Sequence, residues 1–271
     1  VLKGIRCVDE DTVVAQGDGI TITQRKGTYY VNVMKGAQLN LSLCSLMHKE
    51  MHKHIRLNVN VEQHASLVVY SACSALKADT HLSEWTITLH EHATLELRKF
   101  HVWKDIREVR SSLTLTMAAH SHFIQRMSIP HSAVHEIDTL NAELQDKAHL
   151  EVINTYDVKS GRTLETHTTV TLNGRSSARL ISKAVVEGAV SVYDTLVGRD
   201  NSKGHIECHA LIKPGGTYIT KPALQAESPD AELSHEAGIG KINEQQLLYL
   251  RSKGLTEEQA QALITRAWRY V

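Results

Sequence analysis

A thiol, an imidazole and a carboxylate stand close to the C-terminal end of a 271-residue chain, as Cys208 in GHIECHALI and as His235 and Glu236 in AELSHEAG. A thiolate and an imidazole held together can share a soft metal ion such as iron, and that ion in turn favours the thiolate. A neighbouring carboxylate adds an oxygen ligand. Strand alternation puts Ile206, Cys208, Ala210 and Ile212 on one face and His205, Glu207 and His209 on the other, so Cys208 also reads as a small core residue. In AELSHEAG, Leu233, His235 and Ala237 share a face, and Glu236 takes the opposite one unless the strand ends or bulges there. Cys208 and His235 are 27 residues apart, so whether they meet depends on how the chain repeats between them.

It repeats with nearly that spacing. From residue 12 to about 240 the pattern alternates polar and apolar, as in HIRLNVNVEQ and WTITLHEHATLELRKF, which predicts strands with one buried face. A small-residue turn recurs between them: Gly36-Ala37-Gln38-Leu39, His64-Ala65-Ser66-Leu67 and His92-Ala93-Thr94-Leu95 follow at steps of 28. Further copies read as Ser121-His122-Phe123, Lys147-Ala148-His149-Leu150, Ser177-Ala178-Arg179-Leu180 and Asp230-Ala231-Glu232-Leu233. A fixed period built of strands marks a solenoid whose coils bury their apolar faces only by stacking. The predicted fold is mainly β: a parallel β-helix of roughly seven coils, right-handed by the general preference of parallel crossovers. An antiparallel sandwich with regular hairpins competes, but Asn173-Gly174 is the one good hairpin dipeptide.

The β-helix core is expected over 1–242 and a helical segment over 243–271. Asn243 can cap a helix through EQQLLYLRSK with Leu247, Leu248 and Leu250 on its apolar side, ending at Gly254. Thr256 to Gln259 form a capping box for a second helix carrying Leu263, Ile264 and Trp268 at helical spacing. This hairpin can cap the open end of the solenoid or dock a partner.

Bulk composition excludes several classes. Lys plus Arg and Asp plus Glu are both 30, so no basic field argues for nucleic acid. No apolar run reaches membrane-spanning length and the start VLKGIRCVDEDTVV lacks a signal-peptide layout. Cys7, Cys44, Cys73 and Cys208 form no C-x-x-C pair, against both a zinc knuckle and a disulfide framework and in favour of a reducing cytoplasm. Cys44 and Cys73, 29 residues apart, can neighbour one another as core residues. The 17 histidines include His48 and His52 in MHKEMHKH, His90 with His92, and His120 with His122; surface and turn packing explain these more simply than metal. Phosphate-loop, G-x-S-x-G and dinucleotide motifs are missing, so any energy coupling falls to a partner.

The last quarter of the chain resembles the SufB/SufD family of iron–sulfur cluster assembly proteins. The likeness rests on Lys221-Pro222-Ala223-Leu224, Ser234-His235-Glu236-Ala237, Gly240-Lys241-Ile242, Glu244 through Leu247, Tyr249 through Leu255 and Ala260 through Ile264. The resemblance implies a non-enzymatic scaffold on which transient iron–sulfur clusters form. It also implies C-terminal helices that dock a SufC-type ABC ATPase, here by Leu247, Leu248, Leu250, Leu263, Ile264 and Trp268, together with a sulfur donor and apo-protein recipients. In the family a cysteine falls on Cys208, a histidine on His235 and a glutamate on Glu236, which implies a homodimer with Cys208 as sulfur acceptor and all three as ligands. The pairing of Cys208 with His235 within one subunit or across two stays open. The competing readings are a structural solenoid module without metal and, more weakly, a β-helical carbohydrate enzyme.

Overall fold

The repeat folds as a parallel β-solenoid of about seven turns with two C-terminal helices, in a computed structural model that describes residues 12–16, 18–48 and 52–270. One sheet stacks Gln38–His48, the first part of Ser66–Leu89, Thr94–Trp103, His122–His131, His149–Val158, Ser177–Val186, Lys203–Ile212 and Glu232–Lys241. The other stacks Thr28–Val33, His52–Val61, the second part of Ser66–Leu89, Ile106–Met117, His135–Leu144, Thr163–Leu172 and Ala189–Gly198, and ends on the short strands Thr217–Thr220 and Ala223–Ala226. Antiparallel pairing among the described residues is confined to the N-terminal end, where Thr12–Gln16 lies on Gln38–His48 and Ile20–Arg25 on Thr28–Val33.

Alternation alone builds the core between the sheets. In Thr94–Trp103, for example, Leu95, Leu97 and Trp103 are buried while Arg98 and Phe100 are exposed. Successive rungs repeat such positions in register, so apolar side chains stack along the axis, where burying a large aliphatic one contributes ~1.5–3 kcal/mol.

The corners explain much of the histidine content. His64, His92 and His120 sit just before the buried Ala65, Ala93 and Ser121, each with φ near +60°, a left-handed turn conformation that short polar and imidazole side chains tolerate. Their rings stack on consecutive rungs, centroids 4.9 Å and 4.7 Å apart. One corner differs from expectation. Ala178 pairs with Leu150 inside a strand, and the buried Ser176 fills the turn two positions earlier.

The coil step is not constant. It is 28 residues from Gln38↔Ser66 through Thr94↔His122, drops to 26 at Ser177↔Lys203 and rises to 29 at Lys203↔Glu232. Cys44 therefore opposes Ala72 and Cys73 opposes Ser45, one position out of step with each other. His48 closes one strand and His52 opens the next, so they form no helical pair. Lys49 to Met51 and Cys7 lie outside the described residues.

Helix α1, Glu244–Ser252, starts where Asn243 Oδ1 accepts the Gln245 and Gln246 N–H groups and stops before Gly254 at φ +93°. Helix α2, Glu257–Tyr270, opens on a reciprocal box: the Gln259 amide oxygen accepts from Thr256 N–H, and Thr256 Oγ1 accepts from Gln259 N–H. The helices pack on each other around the buried Ala260. They leave the last strand uncovered, with every position of Glu232–Lys241 except Leu233 exposed. The end-capping role considered for them is therefore not what the tail does.

Candidate functional site

Cys208 lies in the centre of Lys203–Ile212, one strand below the open end. The alternation that buries Ile206 and Ala210 turns its thiol inward too, leaving it 1% exposed. The thiol does not sit in hydrocarbon alone. Sγ is 3.9 Å from Oδ2 of Asp194, which projects from the opposite sheet and is itself buried. Hydroxyls of Thr220 and Tyr218 also face the sulfur. Burial, reinforced by the Asp194 charge and outweighing those hydroxyls, pushes the thiol up from its ordinary range. Burial likewise raises the Asp194 carboxyl to about 6 against the hydrogen bonds of Thr168 and Cys208. The resting group is a protonated thiol beside a carboxyl that titrates near neutrality.

His235 and Glu236 take different sides of the last strand. His235 pairs in register with Ile206, hence on the inward face that also carries Cys208, but displaced from Cys208 by two residues along the strand. With strands ~4.8 Å apart and a rise of ~3.3 Å per residue, the Cα atoms are about 8 Å apart. The 27-residue separation falls two short of the 29-residue step at this rung, which sets the displacement. Glu236 pairs with Glu207 on the outer face and is 59% exposed. The strand runs unbroken to Lys241, so plain alternation decides its direction. Cys208 and His235 thus share a face at an uncovered end, and Glu236 belongs to a separate outer group.

Reasoning from sequence missed the polar residues inside the solenoid. Beside Asp194, a second buried polar zone holds His81, Lys99, His101 and Glu136. Glu136 accepts from Trp103 Nε1 at 3.1 Å and from the Ala133 N–H at 3.2 Å, and burial together with nearby Asp138 pushes its carboxyl up to about 8. Lys99 Nζ lies 5.3 Å from the Trp85 ring centre, and burial pulls its ammonium down. The signal was present: in LELRKFHVW, Lys99 and His101 stand at the parity of Leu95, Leu97 and Trp103, and in VSVYDTLVG, Asp194 stands at that of Val192 and Leu196. A polar residue on the apolar parity of a strand is the informative one.

The helical tail carries an open apolar groove of about 600 Å³. Leu250, Leu263, Ile264 and Trp268 line it with Tyr249 and Ala267. Leu247 and Leu248, read from sequence as part of the same surface, are not among its lining, and Leu248 faces solvent. Among the described residues no helix is long and apolar enough to cross a membrane.

Comparison with known proteins gives one consistent result. A family described as the SUF system FeS cluster assembly SufBD core domain matches residues 30–268. An iron–sulfur cluster assembly SufBD family protein of Methanothermobacter thermautotrophicus is 27% identical over 255 residues, 89% of this chain and 62% of that protein. One from Archaeoglobus fulgidus is 26% identical over 269 residues, covering 96% and 72%. Another from Pyrococcus horikoshii is 26% identical over 234 residues, covering 83% and 72%. The chain thus spans about three fifths of the Methanothermobacter relative it matches.

Proposed function

The chain belongs to the SufBD family of the SUF iron–sulfur cluster assembly system, and from that premise we propose that it is a non-enzymatic scaffold on which clusters assemble in the cytoplasm. Cys208 accepts sulfur or ligates iron and His235 supplies a nitrogen ligand, while Glu236 faces the outer side of the same strand, away from this pair. The supporting observation is the position of Cys208 and His235 on one inner face, two residues out of register, at a last strand that none of the described residues covers. A second copy adding its own last strand to this edge satisfies the unpaired backbone there and brings a second His235 toward each thiol. A homodimer is therefore the working unit, and the pairing across subunits shortens the distance that one chain leaves between its own two ligands.

The groove between α1 and α2 docks an ABC-type ATPase of the SufC kind through Leu250, Leu263, Ile264 and Trp268, since the chain has no nucleotide-binding motif of its own. Rearrangement driven by that partner gives the buried thiol a route to a sulfur donor, and finished clusters pass on to apo-proteins. Anaerobic reconstitution with iron and sulfide tests the site: cluster absorbance and transfer are expected for the wild type and lost in Cys208→Ala. Undiminished clusters in both Cys208→Ala and the His235→Ala/Glu236→Ala double variant overturn it. The burial of Cys208 favours a second reading, a structural module without metal, which predicts no stoichiometric iron or sulfide in anaerobically purified protein.

A further inference from the structure

We propose that His205, Glu207, His209 and Glu236 form a binding site for one divalent first-row transition ion on the outer face of the last two strands, on the far side of the sheet from the thiol. The site stands or falls independently of whether Cys208 takes sulfur. One ligand atom from each of His205, Glu207 and Glu236 already lies within 4.8 Å of the others. An ion bound at ~2.0–2.2 Å spans about 4 Å between opposite ligands, so small rotations of the exposed Glu236 and half-exposed His205 close the set.

Each imidazole is aimed by its surroundings. His205 Nδ1 lies 2.8 Å from Ser234 Oγ, which fixes the ring and leaves Nε2 facing Glu207 Oε1 at 3.7 Å. His209 approaches from the other side, its Nε2 3.7 Å from Glu207 Oε2 and 3.9 Å from Glu236 Oε1. Its ring lies over Gly238, where a Cβ would fall 2.6 Å from Nδ1. A glycine at this rung leaves room for the ring to lie flat and point its free nitrogen at the two carboxylates.

Charge and ligand type select the occupant. Arg179 Nε donates to Glu207 Oε1 at 2.7 Å and offsets one of the two carboxylates, leaving the charge of Glu236 to attract a cation. Two nitrogens with two oxygens suit iron(II), cobalt(II) or zinc(II) better than magnesium or calcium, which prefer oxygen alone. The stacked corner histidines offer no equivalent. Their rings pack face on face, 4.7–4.9 Å between centroids, so the in-plane lone pairs of neighbouring rings run side by side instead of converging on one point.

The probe is cobalt(II), titrated anaerobically into the full chain and followed by its visible d–d bands and by calorimetry. The wild type is expected to bind one ion per chain, with affinity at least tenfold lower in His205→Ala/His209→Ala and in Glu236→Gln, and unchanged in Cys208→Ser. Glu236 is exposed, so its variant reads binding even if the double histidine variant folds poorly. Affinity unchanged in Glu236→Gln and in the folded double variant, or no stoichiometric binding, overturns the proposal. Reconstitution of clusters reads Cys208, so failure there is separable from failure here.

Discussion

Cys208 and Asp194 meet across the core from strands of opposite sheets, Sγ to Oδ2 at 3.9 Å. Asp194 titrates near 6, so at pH 7.5 the thiol faces a carboxylate, and ionising the sulfur would place two negative charges in one buried pocket. Asp194→Asn removes one of them. The thiol then ionises more easily, and alkylation of Cys208 at pH 7.5, followed by peptide mass spectrometry, is expected to run roughly three- to tenfold faster, one pKa unit being tenfold in thiolate. An equal or slower rate would show that burial alone holds the thiol.

Glu136 gives the solenoid a pH dependence of definite sign. Its folded carboxyl titrates at about 8 against an ordinary 4.5, so the folded state keeps a proton that the unfolded chain releases. The favourable contribution is complete below pH 4.5 and is withdrawn as pH rises to about 8, a loss on the order of a few kcal/mol. Glu136→Gln keeps an acceptor for Trp103 Nε1 and removes the titration. Thermal unfolding at pH 5 and pH 8 is expected to show the variant gaining on the wild type as pH rises, near it at pH 5 and above it at pH 8. A constant difference at both pH values would mean that Glu136 is ionised in the folded protein.

The solenoid and its tail were legible in the sequence because each rests on a local rule. Period-two alternation, a turn every 28 residues, Asn243 as a cap and Thr256 with Gln259 as a box are all visible within a few residues of chain. The site was legible only in its members. Whether Cys208 and His235 align depends on a coil step that drifts from 28 to 26 to 29, set by turn lengths that the average period hides. The face of Glu236 followed from alternation once the strand was known to continue. Its company did not, since His205, Glu207 and His209 were read one strand at a time. Asp194 and Glu136 were missed because burial of an acid is decided by three or more rungs together.

Ile239 is 49% exposed on the inward face of the last strand, where stacking would bury it had the solenoid another coil. An uncovered edge with an apolar inner face favours pairing with a second copy. Light scattering coupled to size exclusion is expected to give a dimer for the wild type and a monomer for Ile239→Asp, with the unfolding temperature nearly unchanged because the side chain is already half exposed. A dimer that survives in Ile239→Asp would place the subunit contact elsewhere.

Leu263 is 48% exposed in the tail groove, whose helices pack on each other. Leu263→Asp puts a charge in the proposed ATPase contact while leaving every rung intact. Binding of an ABC-type ATPase by the full chain is expected to weaken at least tenfold, about 1.4 kcal/mol or more, with the solenoid's unfolding temperature unchanged. Thr256→Ala separates groove shape from groove chemistry. It removes one half of the capping box of α2, costs that helix about 1 kcal/mol, and is expected to weaken ATPase binding less than Leu263→Asp does. If Leu263→Asp binds as tightly as the wild type, the partner does not dock in this groove, and the apolar lining of Leu250, Ile264 and Trp268 needs another occupant.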